Sequence, residues 1–444
     1  MPELAEQLRR CIESAAPPVH LDELISRVDR RAPNRASAPR RRARSVLLGA
    51  AAGVLVLALA GGIALAIVRS SSDERRPSVR TPSEERDFAH WRTIASVPPE
   101  LNQVYGGFGD YPKAVSAASD VYVVSGHDYG PQIGIIAGRY DTQRGSWSVL
   151  PRGPVTQRAN AIVIWTGREL IVWGGDNGLP SGPYRDGAAY DPATNRWWRI
   201  ADAPLAASNA SSSVWSGTEV IIWGGRTSRE PDDVGLAYNP STNTWRSIAP
   251  APIPNRPYPA AVWADKEMIV WGGCAVEPPS NPGPCDNYAG NERTDGAAYD
   301  PATNSWRMLT PSPLPPRPKP HGVWTGREML IWGGDAGPAS DEQMGAAYDP
   351  SADRWHLLPP APLPRLRDFS MVWTGNEAIV AAGQSTMVSS QVFGAAYDPK
   401  KNAWQTLPKP PYSPTALSAV AWTDAGLFAY GGARANGAPA ILPR

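Results

Sequence analysis

From about residue 88 to the C-terminus, the apolar positions come in clusters of four or five, broken by glycine, proline, asparagine and aspartate. One pair of clusters reads AVWADKEMIVWGGC over 261–274. Near copies recur as VIWTGRELIVWGGD (163–176), SVWSGTEVIIWGGR (213–226) and GVWTGREMLIWGGD (322–335). Apolar runs this short, with this punctuation, predict strands rather than helices. Each unit offers four. The first is of the AAVW type and ends in a two-residue turn: TG, SG, or Ala264-Asp265 in the copy quoted first. The second, of the EMIVW type, is apolar throughout, which predicts burial on both faces. The third reads GAAYD and stops at a proline-containing turn such as DPATN. The fourth is Trp-x-x-Leu or Trp-x-x-Ile, followed by a proline-rich stretch such as PAPLP.

Three landmarks recur in fixed order. A glycine pair, degenerate in two copies, ends at Gly126, Gly175, Gly225, Gly273, Gly334, Gly383 and Gly432, with gaps of 49, 50, 48, 61, 49 and 49 residues. A tyrosine follows at Tyr140, Tyr190, Tyr238, Tyr299, Tyr348 and Tyr397. A tryptophan follows that, at Trp147, Trp197, Trp245, Trp306, Trp355 and Trp404. A period near 50 carrying these residues resembles the kelch repeat, over about 88–444. The resemblance, to the kelch superfamily that also holds the central domain of galactose oxidase, implies an all-β fold: a β-propeller with one four-stranded blade per repeat. Radial packing would cover both faces of each sheet, with tyrosine and tryptophan wedged between blades. The seventh unit stops before its fourth strand. The missing strand is predicted at the opposite end of the domain, where WRTIASVP (91–98) matches WRSIAPAP (245–252). Trp91 then supplies the outer strand of the last blade and closes a ring of seven.

The first 87 residues follow a different pattern. Leu4, Leu8, Cys11 and Ile12, then Leu21, Leu24, Ile25 and Val28, fall at helical spacing, giving two short helices within 1–45. Eight arginines crowd residues 27–45, and Val46–Val68 is an uncharged run of 23 residues. At about 34 Å as a helix, it is long enough to span a membrane. The n-region is too long for a cleaved signal peptide, so the run reads as a signal-anchor. Basic residues are denser before it than after it, which places the N-terminus in the cytoplasm and the propeller outside, on the cell membrane. Residues 69–87 form a polar linker. The head resembles the short cytoplasmic segments that precede the span in many actinobacterial membrane proteins; its two helices either dock on a cytoplasmic protein partner of 1–45 or float free. The overall net charge of +1 argues against nucleic acid as a partner.

Strand alternation divides the turns between two rims. The first-to-second and third-to-fourth turns share one rim and are short and uniform. The second-to-third and fourth-to-first loops share the other and vary, so the second is the expected binding face. It collects Arg158, Arg256, Arg317, Lys319, Arg365 and Arg367, with His127 and His321 nearby. Such a set can bind a carboxylate, a phosphate or an acidic peptide. From Gly273 to Gly296 is 23 residues, where other units have 10–12. Cys274 and Cys285 lie in that insertion and read as a disulfide closing a loop, worth roughly 3 kcal/mol; metal binding by the two thiols is the weaker reading. The leading function is binding or scaffolding, or sensing, for a protein or glycan ligand, with no cofactor. The alternative is a carbohydrate-active kelch enzyme, of epimerase or mutarotase type. A galactose-oxidase-like oxidase needs two histidines, two tyrosines and a tyrosine-linked cysteine. His90, His127, His321, His356, Cys274 and Cys285 match no such set.

Overall fold

The computed structural model describes residues 90–101, 113–125, 134–176, 183–206, 210–225, 235–274, 293–334, 344–363, 366–367, 369–381, 384–385, 394–409, 419–430 and 439–443. The two short helices of 1–45, the span 46–68 and the linker 69–87 lie outside them. Residues Glu85–Arg444 form one compact unit.

That unit is an all-β propeller of seven four-stranded sheets. In blade 4 the strands are Ala260–Ala264, Glu267–Trp271, Gly296–Asp300 and Ser305–Met308, hydrogen-bonded in that order and antiparallel throughout. The innermost strands of blades 1 to 7 are Lys113–Ala117, Ile162–Trp165, Ser211–Trp215, Ala260–Ala264, His321–Trp324, Ser370–Trp373 and Ala419–Thr423. Each neighbours the innermost strands on both sides, and the seventh meets the first, so they enclose a central channel. Burial follows the apolar pattern. Every residue of Glu267–Trp271 is buried, whereas the outer strand Ser305–Met308 is half-buried or exposed.

The recurrent aromatics hold blade to blade. The second-strand tryptophans Trp173, Trp223, Trp271 and Trp332 are fully buried. They pack on Trp245, Trp306, Trp355 and Trp404 of the following blades, at centroid distances of 4.6–6.3 Å. Each outer-strand tryptophan also donates its Nε1–H to a carbonyl just past the outer strand of the preceding blade. The acceptors are Ala95 for Trp147, Pro151 for Trp197, Ala201 for Trp245, Ala249 for Trp306, Thr310 for Trp355, Pro359 for Trp404 and Pro408 for Trp91, at 2.7–2.9 Å. The indole satisfies its only polar group while burying its apolar body, which suits it to a seam between sheets.

Trp91 belongs to this series, and the closure is as expected. Arg92–Thr93 pairs with Ala440–Leu442, Arg92 opposite Ile441 and Thr93 opposite Ala440. The last sheet therefore takes its outer strand from the start of the domain.

The short turns follow the sequence, with one correction. In blade 4, Ala264 pairs with Glu267, so the turn residues are Asp265 and Lys266, one position later than expected. The same shift applies elsewhere. Thr166 N–H bonds the Glu169 carbonyl, leaving Gly167 and Arg168 at the tip. Glycine sits there because the backbone is left-handed, with φ +88° at Gly167 and +57° at Asp265. In the third-to-fourth turns the left-handed residue is Asn195, Asn243, Asn304, Asp353 or Asn402. Asp300 Oδ1 accepts from Ala302 N–H at 2.8 Å, and Asn304 Oδ1 accepts from Tyr299 OH at 2.7 Å and from Ala249 N–H at 3.0 Å. One asparagine thus ties its own blade's tyrosine to the preceding blade. This explains why tyrosine, aspartate and asparagine recur together.

Candidate functional site: the long-loop rim

The long-loop rim is built from the arginines upward. Arg158, Arg256 and Arg317 are 3%, 1% and 0% exposed. Arg158 donates to the Gly174 and Asp186 carbonyls and pairs with Asp186 Oδ1 at 2.8 Å, under the ring of Tyr184. Arg256 forks onto Asp295, Nη1 to Oδ1 at 2.5 Å and Nη2 to Oδ2 at 3.1 Å. Burial works to raise the Asp295 carboxyl, and the Arg256 hydrogen bonds and charge outweigh it, holding it below the usual carboxylate range. Arg317 donates to the Gly333 carbonyl at 3.2 Å. These guanidiniums sit in the wall of the rim, not on its open surface. Two of them also fold back on their own loop: Arg158 Nε reaches the Thr156 carbonyl and Arg256 Nε the Pro254 carbonyl. The arginines therefore shape the fourth-to-first loops.

Two residues past each arginine lies a feature that sequence reading missed. Asn160, Tyr258 and Lys319, with Ala210 at the matching place in blade 3, adopt φ of +55°, +57°, +49° and +74°. Each stands two residues before the register position that pairs with the second-strand tryptophan. None is glycine; Ala210, Tyr258 and Lys319 carry backbone strain of order 1 kcal/mol or more, whereas asparagine at 160 tolerates the conformation. All four are partly exposed. Three form a continuous arc across blades 3, 4 and 5. Tyr258 N–H donates to the Ala210 carbonyl at 2.8 Å, and Lys319 Nζ lies 5.0 Å from the centre of the Tyr258 ring. The one sequence signal was Arg-Pro-x-Pro, written twice as 256–259 and 317–320, with tyrosine and lysine at x.

His321 opens the inner strand of blade 5 and packs against Phe369 in a tilted pair, ring centroids 4.5 Å apart. Burial lowers its pKa to about 4, so its imidazole is neutral at physiological pH. Leu366–Arg367 forms a two-stranded ribbon with Gln384–Ser385, joining two loops of blade 6 on this rim. Ala159 and Asp176 form a comparable bridge in blade 2. Cys274 is buried and disulfide-bonded. His127, Arg365 and Cys285 lie outside the described residues, as does the side chain of Arg367. Among the described residues, no three of histidine, cysteine, aspartate and glutamate cluster as metal ligands.

Fold and aromatic landmarks together define a kelch-type seven-bladed propeller. The chain belongs to the KLHDC2/KLHL20/DRC7 Kelch-repeats domain family, matched over residues 112–322 and 214–432. No curated protein matches it.

Proposed function

We propose that the propeller is a binding module that takes a protein or glycan ligand on its long-loop rim. The observation that carries this reading is the arc of left-handed residues. Their backbone geometry repeats from blade to blade while their side chains, Asn160, Ala210, Tyr258 and Lys319, differ. Strain retained at exposed positions with varied chemistry marks recognition better than it marks architecture. Kelch propellers are typically protein-binding scaffolds, which favours a protein ligand. The rim arginines Arg158, Arg256 and Arg317 hold the loops that present the arc, and His321 stands beside it. Arg365, Arg367 and His127 are further candidates by their place in the repeat.

In this reading Val46–Val68 anchors the chain, with residues 1–45 in the cytoplasm and the propeller outside the cell. Cys274 pairs with Cys285 and closes the inserted loop of blade 4. Three experiments test this. Binding of the full-length protein to a displayed peptide library and a glycan array should give hits that Tyr258→Gly and Lys319→Gly weaken. Alkylation mass spectrometry should find Cys274 and Cys285 blocked together, and both free would remove the loop staple. Protease added to intact cells should digest the propeller and spare residues 1–45; the opposite pattern would reverse the topology.

A further inference from the structure

One socket of the repeat is built and left open. In blade 3, Arg246 reaches from the outer strand across the seam to blade 4. Its Nε and Nη2 bond the Glu219 carboxylate at 2.9 and 2.6 Å, and its Nη1 donates to Tyr299 OH at 3.0 Å. Arg307 repeats this one blade on. Its Nε and Nη2 hold Glu267 at 3.2 and 2.6 Å, and its Nη1 donates to Tyr348 OH at 2.9 Å. Each socket is therefore a glutamate of one blade and a tyrosine of the next, filled by a guanidinium.

Between blades 2 and 3 the same two acceptors stand without the cation. Glu169 and Glu219 each precede the residue paired with their own blade's tyrosine, Leu170 with Tyr190 and Val220 with Tyr238. Tyr238 faces the seam from blade 3, and its OH donates to Asn243 Oδ1 as that of Tyr299 does to Asn304 Oδ1. Arg246 and Arg307 stand opposite Ala237 and Ala298, but the matching place opposite Ala189 holds Trp198. Glu169 is 8% exposed, and its carboxylate makes no hydrogen bond or ion pair among the described residues. The Tyr238 oxygen accepts no hydrogen bond among them either. Trp198, by contrast, is 39% exposed.

A carboxylate this buried without a counter-charge is costly, and a cation placed against it recovers that cost. Burial raises the Glu169 carboxyl above its ordinary range; Arg168 at the turn tip opposes this, and Asp191 adds to it. Burial first and the Glu169 charge second hold the Tyr238 phenol high, so the two acceptors share one site.

We propose that the open socket between blades 2 and 3 binds an arginine side chain of a partner protein. The incoming guanidinium takes the place that Arg246 and Arg307 take in the next two seams. Glu169 accepts its forked N–H groups, Tyr238 OH accepts a third, and the exposed indole of Trp198 offers a face for the planar cation. Arginine fits better than lysine, because the filled sockets use a planar fork to reach carboxylate and phenol together. The site does not depend on what the long-loop rim binds.

Full-length protein is titrated with the capped tripeptide acetyl-Gly-Arg-Gly-amide and with its citrulline counterpart, which keeps the shape and loses the charge. Saturation-transfer NMR on the side-chain methylenes reads binding. The arginine peptide should bind with a Kd of about 1 mM, and the citrulline peptide about tenfold more weakly or worse. Trp198→Arg fills the socket from within the chain and should abolish binding while melting no lower than the parent. Glu169→Gln, neutral and of the same size, should weaken binding about tenfold. Tyr258→Gly, on the long-loop rim, should leave it unchanged. Equal binding by the parent, Trp198→Arg and Glu169→Gln would overturn the proposal. So would equal binding of the citrulline peptide, loss of binding in Tyr258→Gly, or no transfer to the arginine peptide at all.

Discussion

The two rims of the propeller hold their non-glycine left-handed residues for opposite ends. Besides Ala118 and Asp265 in its first-to-second turns, the short-turn rim has Asn195, Asn243, Asn304, Asp353 and Asn402 in its third-to-fourth turns, these last nearly one residue type throughout. Their side chains are consumed internally: each accepts from a tyrosine of its own blade, and several also bind the loop of the preceding blade. On the long-loop rim they are Asn160, Ala210, Tyr258 and Lys319, four chemistries in one geometry. Asparagine and aspartate tolerate the left-handed region at low cost, whereas tyrosine, lysine and alanine do not. The third-to-fourth turns match residue to conformation; the long-loop rim accepts strain at Ala210, Tyr258 and Lys319 to vary the side chain. In a repeat protein, what recurs is architecture and what departs from recurrence is the candidate for function.

The sharpest break to the architectural side is at the seam. Deleting residues 88–98 removes Trp91, its bond to the Pro408 carbonyl and the strand paired with Ala440–Leu442. We expect the cooperative thermal transition to vanish, measured by tryptophan fluorescence; an unchanged transition would show that the ring closes otherwise. Next comes Arg256→Ala, which removes a buried guanidinium from its carbonyl and from the partly exposed Asp295. The expected cost is about 2 kcal/mol in urea unfolding. Asp295 is held below its ordinary pKa, so its contribution is present above the unfolded value and lost as pH falls through the folded one. The penalty of Arg256→Ala should therefore shrink in acid, below about pH 4.

Then comes the test that sets the rims against each other. Asn304→Ala forfeits two hydrogen bonds and a tolerated left-handed residue, at about 2 kcal/mol. Tyr258→Gly, on the other rim, relieves strain and should leave stability unchanged or raise it by up to about 1 kcal/mol. Equal losses for the two variants would erase the distinction. The smallest effect lies between blades 2 and 3. Glu219 and Glu267 pair with Arg246 and Arg307, each at 2.6 Å, but in blade 2, where Glu169 is the counterpart glutamate, the register position of those arginines, opposite Ala189, holds Trp198. Burial raises the Glu169 pKa, so its stabilising effect is full in acid and is lost as pH rises through the folded value, above 4.5. Trp198→Arg should stabilise by about 1 kcal/mol near neutral pH and by less near pH 4.

Repetition made the scaffold readable. Trp91 could be assigned to a blade more than 300 residues away because its flanking residues match those of Trp245, and the structure gives both the same bond. Single-position details were less readable. The short turns fell one residue later than expected, since a Thr-Gly pair does not state which residue opens the reversal. The rim arginines looked like surface charge because composition cannot show the carbonyls of Gly174 and Gly333 or the carboxylate of Asp295 closing around them. The left-handed conformations of Tyr258 and Lys319 are invisible in residue type, since neither residue favours them. The loops enforce them, through the arginines and the flanking prolines.

The central claim is that the arc on the long-loop rim is a recognition surface. The most direct measurement compares the full-length protein with a variant carrying Asn160→Gly, Ala210→Gly, Tyr258→Gly and Lys319→Gly. Glycine keeps the left-handed backbone and removes only the side chains. Both proteins are exposed to the same displayed peptide library and glycan array, with thermal unfolding as the control. The account predicts a variant that melts as cooperatively as the parent and loses the parent's hits. A variant that melts normally and keeps all of them would contradict it.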